Sequence, residues 1–375
     1  MPACAAITVI VGRITATLEY ICVTNGIRPL RAAILAALAF ICLSASAQPP
    51  DLPPPYQPRE AVTGTLRIWG HGSLGGVTEF VEGLTRAWEE GFAKFHPGIK
   101  FENRLHGTAS AVGALYTGTG DLALMGREIW PPEIAAFKEV RGYAPTGVDV
   151  LTGSVDVRNR GYAIAIFVHK DNPLKGLTLA QLDAVFGVDR KRGGAVVKTW
   201  GDLGVGGEWK VKPVSLYGLP IARGFADFFE DRVFLGARKW NPALKEFADL
   251  PGSKGGATDG GQLMVNAMAK DRYAIGYAGL VYKHDAVKPV ALAEKTGDDF
   301  VELTHETVMN HRYPLTRMIT MVFDRPPNQP VEPKTREFLR YILSREGQDA
   351  VLNEGHGYLP MLAPFAAAEL RKLEK

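Results

Sequence analysis

The residues best suited to chemistry lie in the stretch LHGTASAVGALYTGTGDLALMGREIW, which begins at Leu105. Its turn consists of Gly107, Thr108, Ala109 and Ser110. An Ala-rich run follows and predicts a helix over 109–115, with the hydroxyl of Thr108 or Ser110 as its N-cap. Backbone N–H groups at a helix start lack intrahelical acceptors and lie at the positive end of the helix dipole, so this turn favours an anion.

A basic residue follows the next predicted strand. Residues 122–125 are apolar and predict a short strand, which ends at Gly126, Arg127 and Glu128. An Arg at a strand end can face the same anion as the turn before it. The alternatives are an ordinary ion pair for Arg127 and an ordinary capped helix for the turn, and the sequence leaves both open.

A second candidate loop lies earlier in the chain, after a strand predicted over 65–69. The loop reads GHGSLGG and contains Gly72, Ser73 and Leu74. Its backbone N–H groups and the Ser73 hydroxyl suit a ligand loop. The alternative is a serine hydrolase with Ser73 as nucleophile, but the nucleophile elbow requires glycine two residues before the serine, where this chain has His71.

A third loop, YGLPIARG, follows a strand predicted over 211–216. Ala222, Arg223 and Gly224 stand at its end, before a helix rich in phenylalanine. The Arg223 side chain can contact an anion, or it can pair with Asp227 four residues later on the helix. The chain therefore carries well-separated modules in which a strand, a glycine loop and a helix follow one another.

Composition and motifs exclude several classes of site. The eight histidines show no compact metal-ligand spacing, so we expect no metal. The glycine loops match neither the P-loop nor the dinucleotide fingerprint, and we expect no cofactor and no catalytic residue. The net charge of +3 gives no strong field for nucleic acid or for a membrane surface.

The N-terminal region predicts an export signal. Arg28 and Arg31 precede the apolar run 32–43, and the small residues SASA end at a cleavage site after Ala47. We therefore expect residues 1–47 to be a leader and signal peptide, and the mature protein to be periplasmic. All three cysteines precede this cleavage site, so no thiol chemistry is expected of the mature protein.

The remainder of the chain predicts an α/β protein. Residues 48–61 are Pro-rich and predict an extended tether. Strands and helices then alternate, which predicts open sheets with ligands at the carboxyl ends of the strands. Towards the C-terminus, residues 312–323 predict an extended stretch and 335–352 an amphipathic helix.

Several pieces of the sequence, taken in order, resemble the phosphate-binding proteins of bacterial ABC importers, within the type II periplasmic-binding-protein superfamily. The resemblance extends over residues 64–362. Its pieces are IWGHGSLGG, HGTAS, GDLALMGRE, VHKDNPL, LTLAQLDAVFG, TWGDLG, DRYAIGYAGL and YPLTR. The ordered series is specific for the superfamily, although each piece alone is short.

Two pieces depart from the family pattern. The family's loop R-x-x-G-S-G-T corresponds here to YGLPIARGFADFF, which lacks the Ser-Gly-Thr and has Arg223 nearby. The second Asp of the family's D-x-G-A-S-D is absent, and Gly126-Arg127 stands in its place. The resemblance implies that, in the family's phosphate binders, this Asp accepts the proton of hydrogen phosphate. These departures keep a different anionic or polar solute open as the ligand.

The resemblance implies a two-lobed α/β fold, each lobe an open, mostly parallel sheet flanked by helices, with the ligand cleft between the lobes. Crossovers near Tyr162 and Arg312 would divide the chain into lobe one, 62–160 plus 312–375, and lobe two, 161–311. It also implies a monomer that binds phosphate or a related small oxyanion and delivers it to the membrane permease of an ABC transporter. A signalling protein that keeps the fold without transport is a further alternative.

Overall fold

Strands and helices alternate along the chain in the computed structural model, which describes residues 51–72, 79–158, 160–222, 224–252 and 259–374. The strands are β1 (Gly64–Gly70), β2 (Ile99–Arg104), β3 (Leu122–Met125), β4 (Thr146–Thr152), β5 (Ile164–His169), β6 (Gly176–Thr178), β7 (Ser215–Gly218), β8 (Lys245–Glu246), β9 (Ala274–Gly279), β10 (Val287–Ala293) and β11 (Met318–Phe323). The helices are α1 (Glu79–Ala93), α2 (Ala111–Tyr116), α3 (Pro131–Arg141), α4 (Leu179–Phe186), α5 (Gly224–Arg232), α6 (Gly260–Met268), α7 (His305–Met309), α8 (Pro333–Ile342), α9 (Arg345–Glu354) and α10 (Ala363–Leu373).

The first sheet has five strands in the order β2-β1-β3-β11-β4. Strand β1 runs parallel to β2 and β3, whereas β11 runs antiparallel to β3 and β4. All four residues of β3 are buried, which explains why this short apolar run forms a central strand. Strand β3 occupies the residues that the sequence predicted for it.

The second sheet has six strands in the order β6-β10-β5-β9-β7-β8. Strand β5 runs antiparallel to β9 and β10, whereas β7 runs parallel to β8 and β9. Both sheets are therefore mixed, because the strand that enters each sheet from a crossover, β11 or β5, runs against its neighbours. The predicted α/β fold is confirmed, with more antiparallel pairing than expected.

Helices α1, α8 and α9 cover the first sheet. Trp88 and Phe92 of α1 are fully buried. The Phe92 ring packs on Phe338 of α8 with 5.2 Å between centroids, and Trp88 Nε1 donates to the carbonyl of Gly347 in α9 at 2.8 Å. This helix layer holds β1, whose carboxyl end leads into the GHGSLGG loop.

Three aromatic rings form the centre of the second core. Phe186 of α4, Phe229 of α5 and Tyr277 of β9 are buried, with centroids 4.9 to 5.7 Å apart. The Tyr277 hydroxyl donates to the carbonyl of Leu219, just after β7, at 2.9 Å. The core therefore also fixes the loop that leads to α5.

Two crossover segments join the sheets, one between β4 and β5 and one between α7 and β11. They are hydrogen-bonded to each other. The Gly153 N–H donates to the Arg317 carbonyl at 2.8 Å, and the Ile164 N–H donates to the Leu315 carbonyl at 3.1 Å. Paired segments of this kind are where two lobes can rotate about a hinge.

The helix predicted over 335–352 is two helices, α8 and α9, interrupted after Ile342. The side-chain amide of Gln348 donates to the carbonyl of Ile342 at 2.7 Å and replaces its missing helical partner. A Cβ on Gly347 would lie 2.3 Å from the same oxygen, so glycine permits the close turn. The apolar period continues through the break, and periodicity therefore did not reveal it.

The Pro-rich segment 51–61, which we call the N-terminal strap, packs against α8 and α9 instead of extending freely as a tether. Its Tyr56 is buried, with the hydroxyl 2.6 Å from Glu337 Oε2 and 2.8 Å from His96 Nε2. The Arg345 side chain donates to two backbone carbonyls of the strap, and its backbone N–H donates to a third at 3.0 Å. The strap lacks regular secondary structure, yet these contacts make it part of the folded unit.

The predicted leader and the cleavage site after Ala47 lie outside the described residues. Among the residues that are described, no helix combines the length and apolar character that crossing a membrane requires.

Candidate functional site

The carboxyl ends of β1 and β3 bring two of the predicted loops together. The His71 N–H donates to the carbonyl of Leu124, and the Gly107 N–H donates to the carbonyl of Gly70, both at 2.8 Å. Gly70 and Gly107 have φ of 125° and 123°, a region that glycine adopts readily. A Cβ on Gly70 would lie 2.2 Å from the Leu124 oxygen, so glycine is needed for this approach.

The hydroxyls of the HGTAS turn hold the turn in place. Thr108 Oγ1 accepts a hydrogen bond from the Gly126 N–H at 3.2 Å, and Ser110 Oγ donates to the Gly107 carbonyl at 2.9 Å. Ser110 stands at the N-cap position of α2, as predicted, but neither hydroxyl makes a capping hydrogen bond to the helix. The reason is that Thr108–Ser110 already form a 3-10 turn, which places Ser110 in helical conformation. Thr108 and Ala109 therefore start the helical run, where N–H groups lack intrahelical acceptors.

Arg127 is held by a neighbouring carboxylate. Its guanidinium donates to both oxygens of Glu133 at 2.7 and 2.9 Å and lies 3.5 Å from the centre of the Trp130 ring. Glu133 also accepts from the Trp130 N–H at 2.8 Å, at the start of α3. The structure therefore directs Arg127 to the α3 terminus, in agreement with the ion-pair alternative.

Arg317, at the end of the YPLTR piece, is a cation of this region that sequence reasoning missed. Its side chain is 3% exposed and donates to both oxygens of Glu128, at 3.0 and 2.6 Å. Its guanidinium carbon lies 4.7 Å from the Phe225 ring centre and 5.4 Å from that of Phe228. The partners are far away in sequence, so the only local signal was an Arg at the start of a returning strand.

The second sheet presents the loop after β7 and the start of α5. The Phe225 ring, next to Gly224, stacks on Tyr162 with centroids 4.7 Å apart. Ala222 is exposed in the loop before it. A cavity of ≈ 170 Å³ opens here, lined by Arg160, Tyr162, Leu219, Pro220, Phe225, Phe247, Asp249, Asp259 and Tyr282.

The two sides of the site meet at the first crossover. A Cβ on Gly161 would lie 3.6 Å from the Gly126 carbonyl oxygen, so the end of β3 touches this crossover. Arg160 and Tyr162, on either side of Gly161, both line the cavity. The end of β3 and the cavity of the second sheet are therefore adjacent.

The start of α6 carries its own carboxylates. Asp249 accepts from the Gly260 N–H at 2.9 Å, and Asp259 accepts from the Gly261 N–H at 3.0 Å. The Tyr282 hydroxyl also donates to Asp259 at 3.1 Å. Because these N–H groups already have anionic acceptors, the α6 start is less suited to an external anion than the HGTAS turn.

His71, directly after β1, is a neutral imidazole at pH 7. Burial, followed by the positive charge of Arg160, lowers the pKa of His71 from 6.5 to about 4. Its Nε2 is 3.2 Å from the Tyr358 hydroxyl, which in turn accepts from the Gly161 N–H at 3.2 Å. His71 thus connects the end of β1 to the first crossover without adding charge at neutral pH.

We expect the free energy of unfolding to fall as the pH is lowered from 6.5 towards 4. The pKa of His71 is about 4 in the folded chain and 6.5 when unperturbed, so in this window the unfolded chain binds a proton that the native chain does not. The stability is fully present above the unfolded pKa, and about 3 kcal/mol is lost by pH 4. Urea unfolding at several pH values in this range should show that the free energy of unfolding depends less on pH in His71→Gln than in the wild type. Identical pH dependences would contradict the assignment of this effect to His71.

Replacing Gly126 by Ala should destabilise this part of the site. The new Cβ would lie 2.3 Å from His71 Nδ1, so the ring or the end of β3 must shift. Overpacking of this kind costs about 1–3 kcal/mol. Gly206→Ala is the control, since a Cβ there meets no heavy atom within 4 Å. Equal melting temperatures for the two variants would show that the His71 contact is not tight.

The structure brings some predicted site residues together and leaves others apart. Gly72 approaches the end of β2, where its Cβ would lie 2.1 Å from the Leu105 oxygen, close to Gly107 and Thr108. Arg127 turns away to Glu133. Ser73, Leu74 and Arg223 lie outside the described residues. Within the described part of the chain, no group of three or more His, Cys, Asp or Glu side chains could hold a metal ion.

Comparison with known proteins places this geometry in a family. Residues 68–346 match the model of the PBP superfamily domain. The phosphate-binding protein PstS of Pseudomonas aeruginosa is 35% identical over 346 residues, which cover 91% of this chain and 98% of that protein. Protein SphX of Synechococcus elongatus is 22% identical over 299 residues, or 77% of each chain.

A solved structure of PstS from Borrelia burgdorferi is also similar, with a TM-score of 0.49, 13% identity, and coverage of 79% of this chain and 98% of its own. The family match covers most of the chain, and the Pseudomonas protein aligns over nearly its whole length. The chain therefore belongs to the PBP superfamily, in the family of the phosphate-binding protein PstS.

Proposed function

We propose that this chain is a periplasmic solute-binding protein that captures phosphate between two lobes and delivers it to the permease of an ABC importer. The observation that carries the proposal is the 35% identity to PstS over 98% of that protein's length. The proposal includes export through the predicted signal peptide and a binding role without catalysis. A serine hydrolase that uses Ser73 is not favoured, because the relatives are named for binding phosphate.

The lobes would be those expected from the sequence: lobe one is 62–160 plus 312–375 and lobe two is 161–311. The strand composition of the sheets supports this division, since β1 to β4 and β11 form one sheet and β5 to β10 the other. The N-terminal strap adds to lobe one through its contacts with α8 and α9. The two hydrogen-bonded crossovers would be the hinge.

Phosphate would bind where the glycine loops of lobe one face the start of α5. Backbone N–H groups and hydroxyls there can replace the water shell of an oxyanion. The proposed contacts are Gly72, Ser73, Leu74, Gly107, Thr108, Ala109, Ser110, Ala222, Arg223 and Gly224. We omit Arg127 because Glu133 already holds its guanidinium.

Thermal melting of the protein from Gln48 onward, with phosphate, sulfate, molybdate or pyrophosphate, tests the proposal. A ligand at a hundred times its Kd adds about 2.7 kcal/mol to stability, which gives a clear shift in Tm. We expect phosphate to give this shift. A shift with another anion and none with phosphate would overturn the ligand assignment, and a cooperative transition that no anion moves would overturn oxyanion binding altogether.

A further inference from the structure

We propose that Arg317 is a positioning residue that sets the separation of the two lobes and thereby the affinity of the cleft. This inference rests on the proposed function for its ligand. A single buried guanidinium contacts the ligand-loop side of lobe one and the start of α5 in lobe two. The contacts on each side, the charges around them and the place of Arg317 in the hinge support the assignment.

On the lobe-one side, Arg317 is fixed by Glu128. The carboxylate receives two hydrogen bonds, at 3.0 and 2.6 Å, in the fork geometry that Arg favours. Glu128 lies two residues after Gly126, whose N–H is bonded to Thr108 Oγ1 at 3.2 Å. The guanidinium is therefore tied through a short stretch of chain to the HGTAS turn.

On the lobe-two side, the same guanidinium meets two rings of α5. Its carbon lies 4.7 Å from the Phe225 centroid and 5.4 Å from the Phe228 centroid. A cation over a ring face at this distance is attracted to it, more strongly when it is removed from water. Phe225 directly follows Gly224, so the contact acts at the α5 start, which is the proposed lobe-two contact with phosphate.

The charges around Arg317 make its presence necessary for close approach of the lobes. Burial first, and then neighbouring carboxylates that include Glu128, raise the pKa of Asp227 and Asp231 on α5. Arg238 pairs with both of these acids and with Glu230 from within lobe two. Without Arg317, Glu128 would face this acidic helix with its charge uncompensated, and the lobes would repel each other.

The backbone of Arg317 lies in the hinge itself. Its carbonyl accepts the Gly153 N–H of the other crossover at 2.8 Å. A contact this close to the rotation axis restricts the angle between the lobes, and a small change in that angle produces a larger displacement at the cleft. Arg317 thus needs no contact with phosphate to influence its binding.

The test combines phosphate affinity with a distance between the lobes. All three cysteines precede the predicted cleavage site, so the chain from Gln48 onward accepts two unique spin labels. Val140→Cys in lobe one and Val211→Cys in lobe two are suitable, since these side chains are 58% and 75% exposed. Pulsed electron paramagnetic resonance then gives the distribution of distances between the two labels with and without phosphate. Calorimetry of the unlabelled chain gives the Kd for phosphate.

Arg317→Met should shift the distribution to longer distances and weaken phosphate binding at least tenfold. Adding Glu128→Gln to this variant should recover part of the shorter distance, because the like charges no longer face each other. Arg325→Met is the matched control, an Arg just beyond the other end of β11 that donates to carbonyls of Gln329 and Lys372 within lobe one. We expect it to leave the Kd within twofold and the distances unchanged.

Two results would overturn the inference. One is an Arg317→Met variant with wild-type distances between the lobes, whether its phosphate affinity is normal or reduced. Reduced affinity without a change in distance would mean that Arg317 contacts phosphate directly or has a purely structural role. The other is an equal effect of Arg325→Met. If Arg317→Met folds poorly, Phe228→Leu keeps the charge and should give a smaller shift in the same direction, and wild-type distances in that variant would overturn the inference. Failure of the wild-type chain to bind phosphate would refute the proposed function, while the ligand-free distances would still decide the role of Arg317.

Discussion

Replacing Thr108 by Asp is expected to weaken phosphate binding by a hundredfold to a thousandfold. The Asp side chain keeps an oxygen that can accept the Gly126 N–H, which Thr108 Oγ1 accepts at 3.2 Å in the native chain. It also adds a negative charge to the proposed anion site. Two like charges about 4 Å apart repel by about 4 kcal/mol at an effective dielectric constant of 20. Isothermal titration with phosphate measures the loss.

Thr108→Val separates the charge from the hydrogen bond. Valine has the shape of threonine without the hydroxyl, so the Gly126 N–H loses its acceptor, at a cost of about 1–3 kcal/mol. We expect this variant to bind phosphate more tightly than Thr108→Asp. If Thr108→Asp binds phosphate within threefold of the wild type, the HGTAS turn is not the anion site.

Replacing Tyr56 by Ala is expected to lower the free energy of unfolding by about 3–5 kcal/mol, the usual cost of truncating a buried aromatic side chain. Tyr56 is 6% exposed and packs edge-on against Phe95 and Tyr341, at 5.1 and 5.4 Å between centroids. Its loss also removes the hydroxyl that donates to Glu337, a carboxylate with a fully buried side chain. Urea unfolding measures the change.

Gln57→Ala, at the exposed next position of the strap, is the matched control and should change stability by less than about 0.5 kcal/mol. Tyr56→Phe should fall between the two, since it keeps the ring and loses only the hydroxyl. A Tyr56→Ala chain as stable as the control would mean that the strap behaves as the free tether that its Pro-rich composition suggested.

Sequence patterns correctly predicted the elements whose formation depends on their own residues. The run 122–125 was predicted as a strand and is β3, because every one of its side chains is apolar and buried. The interruption between α8 and α9 was missed, because it depends on Gln348 reaching back to the Ile342 carbonyl. Composition likewise described the strap as Pro-rich, but only the tertiary position of Glu337 shows that Tyr56 packs there.

The sequence does not show which carboxylate each arginine of the site contacts. Arg127 follows a strand beside the HGTAS turn, which suggests a ligand contact, yet Glu133, six residues later, accepts two hydrogen bonds from its guanidinium. No local pattern marks Arg317, because its partner Glu128 is 189 residues away in the chain. Carboxylates compete with a ligand for each arginine, and a sequence does not show which carboxylate the fold brings closest.

The most direct test of the central claim is calorimetric titration of phosphate into the chain from Gln48 onward, beside the Thr108→Asp variant. We predict one saturable phosphate site with a measurable heat of binding in the wild type, and a large loss of that heat in the variant. A protein that melts cooperatively, yet gives no heat of binding and no shift in Tm with phosphate, would contradict the claim that this chain is a phosphate-binding protein.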